Sequence, residues 1–401
     1  MSAEETANAE GQSAPTDKAK RRPLLLILTL VVGVIIGVAY LKLLHVALDL
    51  LFTDIPKALN SELLTGIYVL VFLTVGATLV VYLRRTTHVF GHSPLDGLAV
   101  RVDPIRSSLI SLAAVVISLL SGAVLGPEAG LIAMGTALGV WLAERAKSDD
   151  KGTDQLVKIG VLGAVIGLVV NMSSGQTINI VKVPVELAWM DFLWAIPVSI
   201  VAAVVIVAVR LPAYYLRNWG DARPPHVHRG TIIGVLVSLC CVIGVAITHC
   251  DPRLILGSGE GYISQVLQVT SLSTLVVIIV AKGAAYALCL GGGLRGGPIF
   301  PAMFIGGAVG AVFVVLGASA QVPTLAAAGV LAATTTGLKL GWKPMIIVAI
   351  VFGLLLGSPL LIPTCLIGMI IGEILRRVLQ SVPGVGPVPD APETAPTPAA
   401  A

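Results

Sequence analysis

From Leu24 to the Arg376-Arg377 pair the chain is a succession of apolar runs, several of them without a single charged residue. The runs cover about 24–52, 64–83, 107–145, 157–171, 193–211, 230–249, 273–290, 299–318 and 344–375. A helix rises 1.5 Å per residue, so roughly 20 apolar residues cross a hydrocarbon layer about 30 Å thick. The longer runs meet that length. A soluble domain carries charge on about a quarter of its residues, whereas here only 12% are charged and 56% are hydrophobic. Those values exclude a water-soluble globular protein and indicate an all-α membrane protein. Other runs are short, or broken by Gly and Pro. A freed backbone group is costly in lipid, so breaks are tolerated only where protein or a watery cavity satisfies them. The breaks are therefore where function is expected.

The ends differ from the body. Residues 1–22 are polar and are expected to form a disordered cytoplasmic tail. Residues 381–401 are Pro/Ala-rich and read as a second disordered tail. The transmembrane domain is then 23–380, with halves at about 23–215 and 225–380 joined by the polar stretch 212–229. Lys18, Lys20, Arg21 and Arg22 precede the first run. By the positive-inside rule they place the N-terminus in the cytoplasm of a multi-pass protein of the cell membrane. The net charge of +4 forms no basic face with interleaved aromatics, so nucleic acid is not an expected partner. The five cysteines form no CxxC pair and read as small core residues. His226 and His228 in the linker read as solvated, so neither a metal nor a cofactor is expected.

The halves repeat one another. Residues 121–139 read SGAVLGPEAGLIAMGTALG, and 292–310 read GGLRGGPIFPAMFIGGAVG. A shift of 171 positions superposes them without a gap: Gly122 on Gly293, Gly126 on Gly297, Pro127 on Pro298, Gly135 on Gly306, Ala137 on Ala308 and Gly139 on Gly310. The same shift brings Gly91-His92-Ser93-Pro94 close to Gly257-Ser258-Gly259-Glu260-Gly261. Each half thus carries a polar turn, a span, and a broken glycine-rich segment opening a helix. That order is the mark of a two-repeat transporter with its site between the repeats.

The two breaks suit an anion. Proline is tolerated at the start of a helix, where its missing N–H is no loss. The next N–H groups have no intrahelical partner and point outward with the positive end of the helix dipole. Such an end binds anions without a charged side chain. Glu128 follows Gly126-Pro127 inside an apolar region, and an intramembrane carboxylate is a functional candidate by default. The bland alternative is a glutamate that merely complements the dipole. The small neighbours Ala129 and Gly130 favour function.

At these residues the sequence resembles the CLC chloride channel/transporter family, in a divergent bacterial branch of ion-transport proteins. Gly126-Pro127-Glu128-Ala129-Gly130 is similar to the family's Gly-x-Glu-Gly-Pro segment, with Ala-Gly in place of Gly-Pro. Gly296-Gly297-Pro298-Ile299-Phe300-Pro301 resembles its Gly-Gly-x-Phe-x-Pro helix start, with the phenylalanine one place later. Gly91-His92-Ser93-Pro94 matches part of its serine turn. The resemblance implies a CLC-like inverted repeat of two halves with many tilted and broken transmembrane helices. It implies a homodimer that moves a small anion, chloride foremost, and in some members protons. Glu128 would gate the path. The amides of Ile299 and Phe300, the glycines Gly126 and Gly297, and the Ser93 hydroxyl would form the anion site. Glu186 is the candidate for a proton pathway. The family's central tyrosine lies late in the chain, yet no tyrosine follows Tyr286; a residue near Pro363 to Ile370 would take its place. A different inverted-repeat carrier, for fluoride, nitrate or an organic anion, is the competing reading.

Three further signals are assigned otherwise. The 257–261 turn lacks the Gly-Lys-Ser/Thr ending of a phosphate-binding loop. Gly135-x-x-x-Gly139 and Gly306-x-x-x-Gly310 are expected to pack helices closely within one subunit. Lys182 would either contact an anion or snorkel to the interface.

Overall fold

The computed structural model describes residues 17–89, 93–97, 100–173, 185–221, 227–338 and 342–386. In the first half α1 (Asp17–Asp49) passes through a π-turn at Leu50–Asp54 into the short α2 (Ile55–Leu59). Then come α3 (Glu62–Thr87), α4 (Ile105–Leu120), α5 (Glu128–Ala146) and α6 (Asp150–Ser173). The chain continues through α7 (Trp189–Asp221), α8 (Val227–Thr248), the single turn α9 (Ile263–Val266) and α10 (Leu272–Gly292). It ends with α11 (Ile299–Val315), α12 (Val322–Gly337), α13 (Trp342–Leu355) and α14 (Ile362–Val378). Seven helical stretches among the described residues are long and apolar enough to cross a membrane. The protein is a multi-pass, all-helical membrane protein.

Several helices are too short to span. The 16 and 17 residues of α12 and α11 cover about 24–26 Å. The start of α11 and the end of α12 lie within the protein, which supplies the backbone partners that lipid cannot. The run expected at 107–145 is two helices, broken at 121–127, and the run at 344–375 is broken at 356–361.

Glycine sets the closest contacts, and it does so twice. A Cβ placed on Gly135 or Gly139 of α5 would lie 2.5 Å from Val161 or Val157 of α6. On Gly306 of α11 it would lie 2.2 Å from the Gly329 carbonyl of α12, and on Gly310 2.6 Å from Ala326. The pairs α5/α6 and α11/α12 are thus repeat-related, and the Gly-x-x-x-Gly motifs pack within the subunit. Every residue of α12 from Thr324 to Gly337 is buried, since α7, α11 and α14 cover it. Asp191 of α7 holds the start of α12: its carboxylate accepts from Gln321 N (3.0 Å) and from the Thr324 hydroxyl (2.6 Å).

Three expectations need correction. Residues 17–22 belong to α1 rather than to a disordered tail. The stretch 381–386 is packed, with Val385 fully buried and the Gly384 carbonyl accepting from Arg210 Nε at 2.9 Å. Residues 212–221, read as linker, continue α7, which packs against α10, α11, α12 and α14 of the second half. Two cations are wholly enclosed, Arg210 and Lys282. Arg210 donates to the carbonyls of Leu95, Gly337 and Gly384. Lys282 Nζ lies 3.2 Å from each carbonyl of Ile255, Leu256 and Gly257. Both cations use backbone carbonyls where helices and turns end, the partner that a positive charge finds most easily in a helical membrane protein.

Candidate functional site

The two broken segments meet. Gly126 N donates to Gly297 O at 2.7 Å, and Gly297 N donates to Gly126 O at 2.6 Å. This isolated antiparallel bridge joins two residues that the 171-residue shift makes equivalent. Residues that are equivalent in two repeats can pair reciprocally only near the axis relating those repeats. The inverted repeat is therefore visible in a single pair of hydrogen bonds. Pro127 (φ −76°, ψ −7°) and Pro298 (φ −91°, ψ −3°) then occupy matching N-cap positions of α5 and α11, with no side-chain cap at either end. The prolines precede the first turn rather than lying in it, and the amides that follow keep their outward direction.

Glu128, the first residue of α5, crosses to the other repeat. Its Oε1 accepts from Phe300 N at 3.1 Å, in the first turn of α11. The Ile299 amide also faces the carboxylate. Glu128 is only 4% exposed, so no bulk water competes for these amides. A carboxylate on a helix N-terminus is stabilised by the unsatisfied N–H groups and by the dipole together. The space for it comes from glycine. A Cβ on Gly126 would approach Glu128 Oε2 to 2.1 Å, and one on Gly297 to 1.6 Å. The five positions Gly126, Glu128, Gly297, Ile299 and Phe300 thus converge on one point.

A double-mutant cycle tests this convergence. Gly297→Ala should cost about 1–3 kcal/mol, the usual penalty of overpacking. The cost should largely vanish in a Glu128→Gly background, where the clashing carboxylate is gone. Thermal unfolding in detergent of the four proteins reads the coupling; additive effects would mean that the two residues do not share this space.

The remaining candidates lie elsewhere. Ser93 precedes a 3₁₀ turn at Pro94–Asp96, and its hydroxyl caps no amide of that turn. The turn is held by its Leu95 carbonyl on Arg210 and by the Asp96–Arg217 ion pair. Gly91 and His92 lie outside the described residues, as do His226 and Lys182. Glu186 is exposed, three residues before α7. The stretch Pro363 to Ile370 forms the start of α14, where Gly368 packs on Ala328 of α12.

Residues that the sequence left unassigned complete the surroundings. Tyr286 of α10 is buried, and its hydroxyl donates to the Pro298 carbonyl at 2.7 Å, fixing the residue that caps α11. Cys289 Sγ accepts from Val124 N at 3.3 Å and steadies the strand-like approach to Gly126. Arg84 and Arg229 donate to the carbonyls of Gly293 and Gly291 at the end of α10. Lys282 sits 4.5 Å from the Phe304 ring and holds the 255–257 turn. Gly259 of that turn (φ +80°) has no room for a side chain, because Phe304 lies 2.7 Å from its would-be Cβ. A single cation within a long apolar run is the signal that marks Lys282 and Arg210 in the sequence.

An open vestibule reaches inward to the turn that carries Glu260. It has a volume of about 780 Å³ and is lined by α1 (Lys42, His45, Asp49) and by the 256–262 turn. A narrow recess continues from it past Ser258 and Glu260 to Leu125 and Pro127.

The sequence of the family described as voltage gated chloride channel matches residues 159–377, more than half of the chain. "Putative ion-transport protein YfeO" of Escherichia coli O17:K52:H18 (strain UMN026 / ExPEC) is 24% identical over 387 residues, covering 83% of this chain and 89% of that protein. The protein of the same name from strain E2348/69 (O127:H6) is 23% identical over 390 residues, with the same coverage. Among solved structures, a slow cyanobacterial Cl−/H+ antiporter superposes with a TM-score of 0.68 at 17% identity, covering 91% of this chain and 96% of that one. A CLC-type fluoride/proton antiporter superposes at 0.64 and 14% identity, with 90% and 97% covered. These likenesses show a shared fold. The two broken helices that meet at Gly126 and Gly297, the glutamate laid across them and the matched sequence profile agree, and the chain belongs to the CLC (voltage gated chloride channel) family.

Proposed function

We propose that the protein carries small inorganic anions across the membrane, chloride foremost, along a path on which Glu128 is the gate. The observation behind this reading is the Glu128 carboxylate on the α11 amides, between two glycines that leave it room. A carboxylate there occupies the place that an anion would take. When ionised it holds the Phe300 and Ile299 amides and closes the path. Once protonated it loses the charge that makes those hydrogen bonds strong, and an anion replaces it. Pro127 and Pro298 matter because they begin the helices without capping their amides. The Ser93 hydroxyl is the proposed further contact for the anion, and Glu186 the proposed second proton-handling carboxylate. A homodimer with a cytoplasmic N-terminus is the assembly we propose, from the family and from the basic residues before the first run.

Flux from proteoliposomes with fluoride, chloride, bromide, nitrate and a set of organic anions tests the reading. Chloride should pass among the fastest, and organic anions too large for a site built from backbone amides should not. A purified, monodisperse protein that moves none of the inorganic anions would overturn it. Fluoride is the second reading, favoured by the likeness to a fluoride/proton antiporter. The same panel separates the two by the order of rates.

A further inference from the structure

α1 lies along the vestibule and brings to it polar groups that gating by Glu128 alone does not use. Glu260, on the 257–261 turn, is 7% exposed. His45 Nε2 lies 3.3 Å from Glu260 Oε1. The other ring nitrogen, Nδ1, is 3.0 Å from the Leu41 carbonyl. That carbonyl can only accept, so Nδ1 carries the hydrogen and Nε2 is left to exchange a proton with the carboxylate. His45 is more than a third exposed and opens to the vestibule.

Further inward, the half-buried Tyr40 lays its enclosed hydroxyl against the first turn of α5. A Cβ on Gly130 would meet its hydroxyl at 2.4 Å. The Tyr40 hydroxyl, Glu260 Oε2 and Glu128 Oε2 are all buried without a protein partner. A buried polar atom without a partner is costly. The three oxygens line the way between the vestibule and the proposed gate, where water can join them.

The other charges near Glu260 are engaged or point outward. From α1, Asp49 pairs with Arg253 at 2.7 Å, and Arg253 stacks on Tyr262 of the same turn. From α10, Lys282 is held by three carbonyls. Lys42 is exposed on the vestibule wall. Glu128 of α5 is the next carboxylate inward, beside Pro127 at the far end of the recess. His45 is thus the basic group paired with Glu260.

We propose that His45 and Glu260 form a proton relay that loads Glu128 from this vestibule, with the Tyr40 hydroxyl between the two carboxyl groups. His45 Nε2 takes a proton from vestibule water and passes it to Glu260 Oε1. None of these three oxygens hydrogen-bonds another directly, so water in the recess joins them: the acid gives a proton to that water, which protonates the Tyr40 oxygen as Tyr40 O–H releases its own, again through water, to Glu128 Oε2. Glu260 returns to carboxylate, His45 to neutral imidazole, and one proton has moved from water to Glu128 with no change of oxidation state. The inference rests on the reading of Glu128 as the gate.

The test uses the full chain in proteoliposomes and follows the onset of chloride flux after an acid jump through the histidine range. Glu260→Gln and His45→Gln should each delay onset by about tenfold or more, the scale of a lost proton-transfer group. Tyr40→Phe should do the same. Imidazole added to the medium should restore the rate of the His45 variant. In a Glu128→Gln background, where no proton is needed, the relay substitutions should change nothing. Wild-type onset in both Glu260→Gln and His45→Gln, slowing that persists in the Glu128→Gln background, or failure of imidazole to rescue overturns the relay and leaves the gate intact. Absence of anion flux from wild type and Glu128→Gln alike overturns the transport reading itself, and the relay with it.

Discussion

Glu128→Gln is expected to carry chloride at a rate equal to or above that of the wild type, without pH dependence and without any coupled proton movement. Glutamine has the size of glutamate and keeps the side chain in the pocket left by Gly126 and Gly297. What it lacks is the charge. Hydrogen bonds from amides to a carboxylate are roughly twice as strong as those between neutral groups, so an amide side chain holds the α11 amides less well than the carboxylate it replaces. An arriving anion, which is charged, then displaces it. In the wild type, flux should rise as pH falls, because protonation is what releases Glu128. The slope can reach at most about tenfold per pH unit, the limit for one titrating carboxyl. Chloride flux and vesicle pH, recorded together, check both halves of the expectation. A variant that keeps the wild-type slope and coupling would show that Glu128 is not the gate. The same recording in the wild type decides between exchanger and passive channel.

Gly306→Leu should abolish flux by a different route, through loss of the fold. Gly306 faces the Gly329 backbone so closely that even a methyl group would lie 2.2 Å from its carbonyl oxygen. Backbone cannot rotate aside as a side chain can. The two helices would have to separate, and both are buried along most of their length. Overpacking of well-filled sites costs about 1–3 kcal/mol and occasionally more; a four-carbon side chain against backbone belongs at the upper end. The variant should yield little monodisperse protein, with a lowered unfolding temperature in whatever is recovered. Gly317→Ala offers the contrast. Nothing lies within 4 Å of its would-be Cβ, and only its positive φ of +96° opposes a side chain, so a penalty of about 1–2 kcal/mol is expected. Equal stability of Gly306→Leu and the wild type would mean that α11 and α12 do not pack as described.

Much of the site is legible in the sequence because it rests on local chemistry. Gly-Pro before an apolar run is a helix start, and a glutamate beside it inside an apolar region is conspicuous wherever it lies. The repeat is legible too, since the 171-residue shift names Gly126 and Gly297 as equivalents before any contact between them is known. Other parts are not. α12 lay outside the apolar runs because alanine, glycine and threonine give it only mild hydropathy; its burial comes from the helices around it. The packed stretch 381–386 resembles a flexible tail in composition, and it is held down by Arg210, 174 positions earlier, and by the burial of Val385. Ser93 and Glu186 match the family by sequence alone, and among the described residues it is Phe300 whose amide meets Glu128.

Composition and run length determined that this chain lies in lipid, as helices, with its breaks gathered at two glycine-proline points. Transfer from water is a sum over residue types, and such a sum can be read without coordinates. The partners of Glu128 could not be read in that way. Its carboxylate finds the amide of Phe300 across 172 positions, and Glu260 finds His45 across 215. Those meetings depend on how a dozen helices pack against one another. Tertiary structure alone therefore decided that the glutamate of one repeat rests on the helix of the other.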